Sequence, residues 1–518
     1  MAKRPNFILF ITDQHRGDWL GCAGHPLVRT PNIDAMAARG TRFRDFHVAT
    51  PVCMPNRASL LTGRFPSVHG LRSNGALLPR SANTFVDVLA TAGYRTASIG
   101  KSHLQPMTGI KWPGARGKAG PIAEAWKPDP SDYTAEDPEA FAARDGDIET
   151  PYYGYQKVIS ASQHGPNSGG HYTRWLKEQT SDWEALLDPA NELPHSYTCP
   201  QVNRTPMPEE LYPTSFIRDQ AMGYLDEAAA SQDPFFLFVS FPDPHHPFNP
   251  PGKYWDMYDP EDFEVSLPYD AHRNPTPPLR FLHEAHLRGE GPMTPQTAFM
   301  AEDRQVQEAM ALTAGMITMV DDAVGAVMRQ LKTLGMDQDT VVMFTSDHGD
   351  YMGDFNMLLK GSPPFRSVTN VPFIWSDPRD PEARVSSQMG STVDISATIL
   401  DRAGLDPYNG IQGKSLLNAI AGGQGPHAQL FCEYNDVVAR LGFDDPPLVR
   451  SLITPTHRLT LYLGLEWGEL YDLTTDPKET HNLWEDAGHA YVKAELTLRL
   501  AHELIDQMDR SPMPQYLA

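Results

Sequence analysis

The sequence predicts an α/β fold: a large mixed, mostly parallel sheet sandwiched by helices, with a smaller C-terminal α+β unit. Two patterns and one size argument lead there. Apolar runs of strand length are continuous rather than alternating, as in strands covered on both faces. Helical segments lie between those runs. The 518 residues are too many for one compact core.

Taken in order, the run Phe7 to Ile11 leads into Asp13-Gln14, and Thr96 to Gly100 leads into Lys101 and His103. Phe235 to Phe241 leads into His245-His246, and Thr340 to Thr345 leads into Asp347-His348. In open α/β sheets ligands bind beyond the carboxyl ends of the strands, so these four polar clusters should share one crevice. Helices are expected from Thr84 to Ala92, closed by Gly93, from Met316 to Leu334, closed by Gly335, and from Ser391 to Leu400, ending at Gly404. The stretches 105–231 and 247–295 are rich in Pro, Gly, Trp and Tyr with weak periodicity, and read as long insertions in a main domain spanning 1–420. They either shape the substrate pocket or pack on the domain. After the glycine-rich 421–425, Val449 to Ile453 and Arg458 to Leu463 alternate like antiparallel strands and Val492 to Met508 has helical spacing. This defines a small α+β unit over 421–518. The Pro-rich tail and the apolar insertions predict a homo-oligomer.

A formal charge of −22 excludes a nucleic-acid or anionic-membrane surface as the main role, since both need clustered Lys and Arg. An anionic substrate would need a local cationic patch or a metal, because net charge is screened beyond roughly 8–10 Å. The four cysteines, Cys22, Cys53, Cys199 and Cys432, lie far apart with no C-x-x-C spacing. Neither a zinc ribbon nor a disulfide scaffold is indicated, and a reducing cytoplasm is expected. The first apolar run is cut by Thr12 to His15 before it reaches signal or membrane-span length, so no membrane is expected.

Cys53-Met54-Pro55-Asn56-Arg57, followed by Ala58-Ser59-Leu60-Leu61-Thr62-Gly63, places a thiol at the mouth of a short helix. Pro55 suits the first turn and Gly63 the end. Unpaired backbone N–H groups and Arg57 would stabilise an anionic nucleophile and an anionic substrate there. A half-buried structural cysteine is the plainer alternative. The pattern C-x-P-x-R with A-S-L-L-T-G resembles the signature of the type I sulfatases and the related phosphonate monoester hydrolases, in the alkaline phosphatase superfamily. The segment Gly468 to Leu483 is similar to a C-terminal element of many sulfatases, so the resemblance spans nearly the whole chain.

The resemblance implies that Cys53 is converted to formylglycine (3-oxoalanine) by a partner maturation enzyme, giving a geminal diol that a metal can activate. Asp13, Gln14, Asp347 and His348 look like the ligands of one divalent cation, with the converted Cys53 as a further ligand. The oxygen donors suit Ca²⁺, Mg²⁺ or Mn²⁺, and the imidazole leans towards Mn²⁺ over Ca²⁺. Many sulfatases carry an acidic residue where Gln14 stands. By the same resemblance Arg57 stabilises the nucleophile, Lys101 contacts the anionic group and His103 acts as base on the diol. His245 and Lys360 flank the leaving-group oxygen and either protonate or neutralise it. Asn74 is a candidate substrate contact, though a loop asparagine also closes turns. The expected activity is double-displacement hydrolysis of a small anionic ester, a sulfate monoester of an aryl or small alcohol. Phosphonate monoester or phosphodiester hydrolysis by the same groups is the alternative. A non-catalytic anion binder would need Cys53 to stay a thiol, and a cysteine phosphatase loop would need its Arg later than Arg57.

Overall fold

The computed structural model describes residues 4–110, 132–144 and 147–516. Eight strands form the main sheet: β1 (Asn6–Thr12), β2 (Thr41–His47), β3 (Arg95–Gly100), β4 (Lys157–Ser160), β5 (Phe235–Ser240), β6 (Thr340–Ser346), β7 (Phe373–Ser376) and β8 (Arg384–Ser391). Their order is β8-β2-β7-β6-β1-β5-β3-β4. Every pairing is parallel except the two made by β7. β1, β5 and β6 are buried along their whole length, which is why their sequences run apolar without alternation.

Side chains pointing to opposite faces of these strands build two cores. On one face Phe7, Leu9, Phe236 and Met343 meet α1 (Cys53–Thr62) and α2 (Phe85–Thr91). On the other Ile8, Phe10, Leu237 and Phe344 meet α3 (Pro213–Ala229) and α4 (Asp303–Thr333). α4 begins well before Met316, because a capping box between Glu302 and Gln305 starts it. It is long and apolar enough to cross a membrane, yet 89% of that apolar window is buried inside the protein. α5 (Asp394–Ala403) ends at Gly404, whose φ of 70° is left-handed, as the sequence requires.

The stretch 105–231 is not simply an insertion. It supplies β4, which extends the sheet beside β3, and α3, which packs into the second core. β4 has four residues and too short an apolar run to stand out in sequence. The parts at 111–131 and 145–146 lie outside the described residues.

The C-terminal strands β9 (Leu430–Asn435), β10 (Leu448–Ile453), β11 (His457–Tyr462) and β12 (Gly468–Asp472) form an antiparallel sheet in sequence order, against which α6 (Ala490–Asp506) packs. Buried Arg458 pairs with Glu469 at 2.6 Å and also with Glu479. Glu479 accepts the Arg366 N–H at 2.7 Å and so ties this sheet to the segment after Lys360.

Candidate active site

Because β1, β3, β5 and β6 are parallel, their carboxyl ends carry Asp13-Gln14, Lys101 to His103, the His245 loop and Asp347-His348 to the same edge. α1 starts there too. Cys53 is its first residue, after extended Val52, and is 1% exposed, so it is fully rather than half buried. Asn74 stands beside it: its Oδ1 accepts the Met54 N–H at 3.2 Å and its Nδ2 lies 3.8 Å from Cys53 Sγ. Asn56 donates to the Asp347 carbonyl at 2.6 Å and accepts from Thr392 at 2.7 Å, which locks α1 to the end of β6. Burial pushes the Cys53 thiol up, but Lys360, His348 and Lys101 bring it down to about 7.

Asp13, Cys53, Asp347 and His348 bring one donor atom each within 4.8 Å of one another, all buried. His348 Nδ1 donates to the Gly349 carbonyl at 2.8 Å, so its Nε2 presents a lone pair. That nitrogen faces Asp13 Oδ1 at 3.4 Å and Asp347 Oδ1 at 3.7 Å. His348 Nε2 and Asp13 Oδ1 are both buried without a hydrogen-bond partner among the described residues. Acceptors facing each other across such a gap need a proton or a cation between them. Burial pulls the His348 imidazole down, yet Asp347, Asp13 and Cys53 push it up to about 9, the same demand for positive charge. Two carboxylates and an imidazole therefore fit a divalent cation. Arg57 braces them: Nε donates to Asp347 Oδ2 at 2.7 Å, and Nη2 lies 3.6 Å from Asp13 Oδ2. Gln14 borders this cluster, with Oε1 accepting from Lys360 at 2.8 Å and Nε2 donating to Asp350 at 2.5 Å.

Lys101 Nζ lies 2.5 Å from Asp13 Oδ2. Burial, then Lys101, holds His103 well below its ordinary range, so the imidazole is neutral. His103 has a positive φ of 54°, and the turn is held by Glu136, which accepts the backbone N–H groups of His103, Leu104 and Gln105 at 2.7, 2.8 and 3.2 Å. Lys360 Nζ lies 2.5 Å from His245 Nε2. His246 packs on His245, its ring centroid 4.0 Å away. The loop that carries both is tied down by Asp243, which accepts from Tyr212 at 3.0 Å and from Thr214. The residues proposed from sequence thus gather at one carboxyl edge of the sheet. Sequence reasoning missed Glu136 and His164, each a single polar residue without a neighbouring motif, and gave no role to Asn56, which fills a variable position of the C-x-P-x-R motif. His164 lies 2.5 Å from Lys101 Nζ and stacks on His245.

The carboxyl edge of this mostly parallel α/β sheet thus gathers a buried thiol, a donor set that could hold a cation and two lysines, groups suited to hydrolysis of an anionic ester. The sulfatase family profile matches residues 5–405, and a profile described as N-sulphoglucosamine sulphohydrolase, C-terminal, matches residues 365–506. The chain belongs to the sulfatase family, hydrolases of sulfate esters within the alkaline phosphatase superfamily. An arylsulfatase of Clostridium perfringens is 27% identical over 93% of this chain and 90% of its own. The multifunctional alkaline phosphatase superfamily protein PehA of Trinickia caryophylli is 26% identical over 96% of each. Among solved structures, the phosphonate monoester hydrolase of Agrobacterium radiobacter shares the fold at a TM-score of 0.77 and 24% identity, over 98% of this chain and 97% of that one.

Proposed function

We propose that the protein is a formylglycine-dependent sulfatase that hydrolyses sulfate monoesters of aryl or other small alcohols by double displacement. The observation that carries this is the position of Cys53: first in a helix, sealed from solvent, between the cation donors and Lys360. Because Cys53 is 1% exposed, a maturation enzyme would convert it before folding is complete.

Asp13, Gln14, Asp347 and His348 would hold one divalent ion, Ca²⁺ or Mn²⁺. Bound there, it supplies Lewis acidity towards an ester oxygen and lowers the pKa of the diol formed from Cys53. The chain's own groups do the rest. Arg57 keeps both carboxylates in place through its contacts with Asp347 and Asp13. Lys101 and Lys360 present ammonium groups to the ester's oxygens, and Asn74 adds an amide donor beside residue 53. Lys360 and His245 are hydrogen-bonded to each other, so a proton given to the leaving oxygen by one is shared by the pair. Neutral His103 takes the proton from the remaining hydroxyl in the second half of the reaction.

The second reading is phosphonate monoester or phosphodiester hydrolysis. Gln14 and His348 suit it as well as they suit sulfate ester hydrolysis, and the solved phosphonate monoester hydrolase of Agrobacterium radiobacter shares this fold. The test is kcat/KM for a sulfate monoester, a phosphonate monoester and a phosphodiester sharing one leaving group, with Cys53 conversion confirmed by mass. A sulfate preference of about tenfold, ~1.4 kcal/mol at the transition state, supports the first reading. An equal preference for the phosphorus esters replaces it with the second.

A further inference from the structure

His164 lies in the loop after β4 and takes no part in the steps above. Its ring lies face to face with that of His245, centroids 3.5 Å apart and planes 8° apart. His246 lies 4.0 Å from His245 but 6.4 Å from His164, so the three rings form one stack with His245 in the middle. The His245 Nδ1–H donates to the His246 carbonyl at 2.5 Å, which leaves Nε2 as an acceptor for Lys360.

The two lysines are held alike. Lys101 Nζ lies 2.5 Å from His164 Nε2 and 2.5 Å from Asp13 Oδ2. Lys360 Nζ lies 2.5 Å from His245 Nε2 and 2.8 Å from Gln14 Oε1. An ammonium has three N–H donors. Each lysine therefore spends one on an imidazole and one on an oxygen, and keeps the third for an incoming oxyanion. Two fixed donors set the direction of the third. Without His164, Lys101 would be held by Asp13 alone and free to swing about that bond, while His245 would lose the ring that covers one of its faces. The loop itself is anchored, because Gln163 Nε2 donates to the Met107 carbonyl at 3.0 Å. The His164 side chain is 11% exposed against 0% for Lys101 and Asp13, which places it at the outer rim of the cluster.

We propose that His164 is a positioning residue for anionic-ester hydrolysis: its Nε2 aims Lys101 at the substrate's oxygens, and its ring fixes the plane of His245. This deepens, and rests on, the hydrolase reading above. The two jobs can be separated by substitution. His164→Phe keeps the stacked face and loses the acceptor; His164→Gln keeps an acceptor oxygen at similar reach and loses the ring.

The experiment measures three quantities on metal-replete, converted protein: kcat and KM for the ester that wild type turns over fastest, the Kd of inorganic sulfate by titration calorimetry, and Tm. His164→Phe is expected to raise KM and the sulfate Kd about tenfold with kcat within about threefold of wild type. His164→Gln is expected to bring the sulfate Kd back to within about threefold while kcat falls about tenfold. Two results overturn the proposal: both variants within twofold of wild type throughout, or both losing kcat and sulfate affinity in the same ratio as Tm falls. The calorimetry keeps the two readings apart. If wild type hydrolyses none of the esters yet its sulfate affinity depends on His164 as stated, the hydrolase reading fails and the positioning of Lys101 stands.

Discussion

Asp13, Asp347 and His348 are each 0% exposed, and Asp13 is hydrogen-bonded through one of its two oxygens. Arg57 and Lys101 cover one side of Asp13, while its Oδ1 and the facing His348 Nε2 remain without partners among the described residues. Each unsatisfied buried polar atom costs about 1–3 kcal/mol, so a bound cation should stabilise the fold as well as serve the chemistry. Adding Mn²⁺ or Ca²⁺ to chelator-treated protein at about 100 times Kd is expected to add roughly 2.7 kcal/mol, a rise of a few degrees in Tm. His348→Ala should lose most of that rise, read by calorimetry with and without metal. An equal rise in the variant would place the ion elsewhere. The nucleophile makes a sharper test: Cys53→Ala should lower kcat by at least ~10³-fold with the metal-linked Tm rise largely kept, and comparable turnover by the variant would rule out residue 53 as the nucleophile. These residues were legible because each sits in a short run with its partners in the chemistry, as Cys53 does with Arg57 and Lys101 with His103. His164 and Glu136 were not, because each makes its contribution only to residues far along the chain.

At the scale of elements, the loop after β3 shows how the scaffold fixes a reactive group. His103 takes a left-handed backbone conformation that β-carbon sterics disfavour, and three successive N–H groups point at the one carboxylate of Glu136. Tyr152 donates a further hydrogen bond to it at 2.6 Å. Glu136→Ala would leave those three N–H groups buried and unpaired, a loss of at least about 3 kcal/mol. It should also cut kcat/KM by about tenfold or more, because Lys101 and His103 lie on the same turn. Urea melts and kinetics on the same preparation decide it: a fall in stability with kcat/KM unchanged would mean that the turn does not aim His103. The strand ends that carry the site were readable because β1, β5 and β6 are covered on both faces and so run apolar throughout. β4 and α3 were not, because β4 is four residues long at the sheet edge and α3 carries buried residues mixed with exposed charge. Their place is set by packing against β3 and α4, which local sequence does not encode.

Across the whole molecule, buried neutral histidines couple stability to pH. His69 is 3% exposed, with Nε2 3.0 Å from Ser59 Oγ on α1 and Nδ1 accepting the Leu71 N–H at 3.2 Å. Burial, then Arg64, lowers its pKa to about 3. His272, 3.0 Å from the Tyr471 hydroxyl at the contact with the C-terminal sheet, is lowered to about 4, chiefly by burial. An unfolded histidine takes its proton near pH 6.5 while these folded ones refuse it. Between the two values the unfolded state binds more protons, so the stability each group contributes is full above about pH 6.5 and is lost as pH falls. At pH 5 the loss is about 2 kcal/mol per group. Asp321, pushed up to about 6 by burial, works in the opposite sense over the same range, so wild type alone is not the measure. The difference between wild type and His69→Gln isolates one term. The variant should be less stable than wild type at pH 8, and urea melts at pH 5 should find that gap about 2 kcal/mol smaller. A gap constant from pH 8 to pH 5 would mean that His69 accepts its proton in the folded state, and that its ring is not sealed between α1 and the Leu71 backbone.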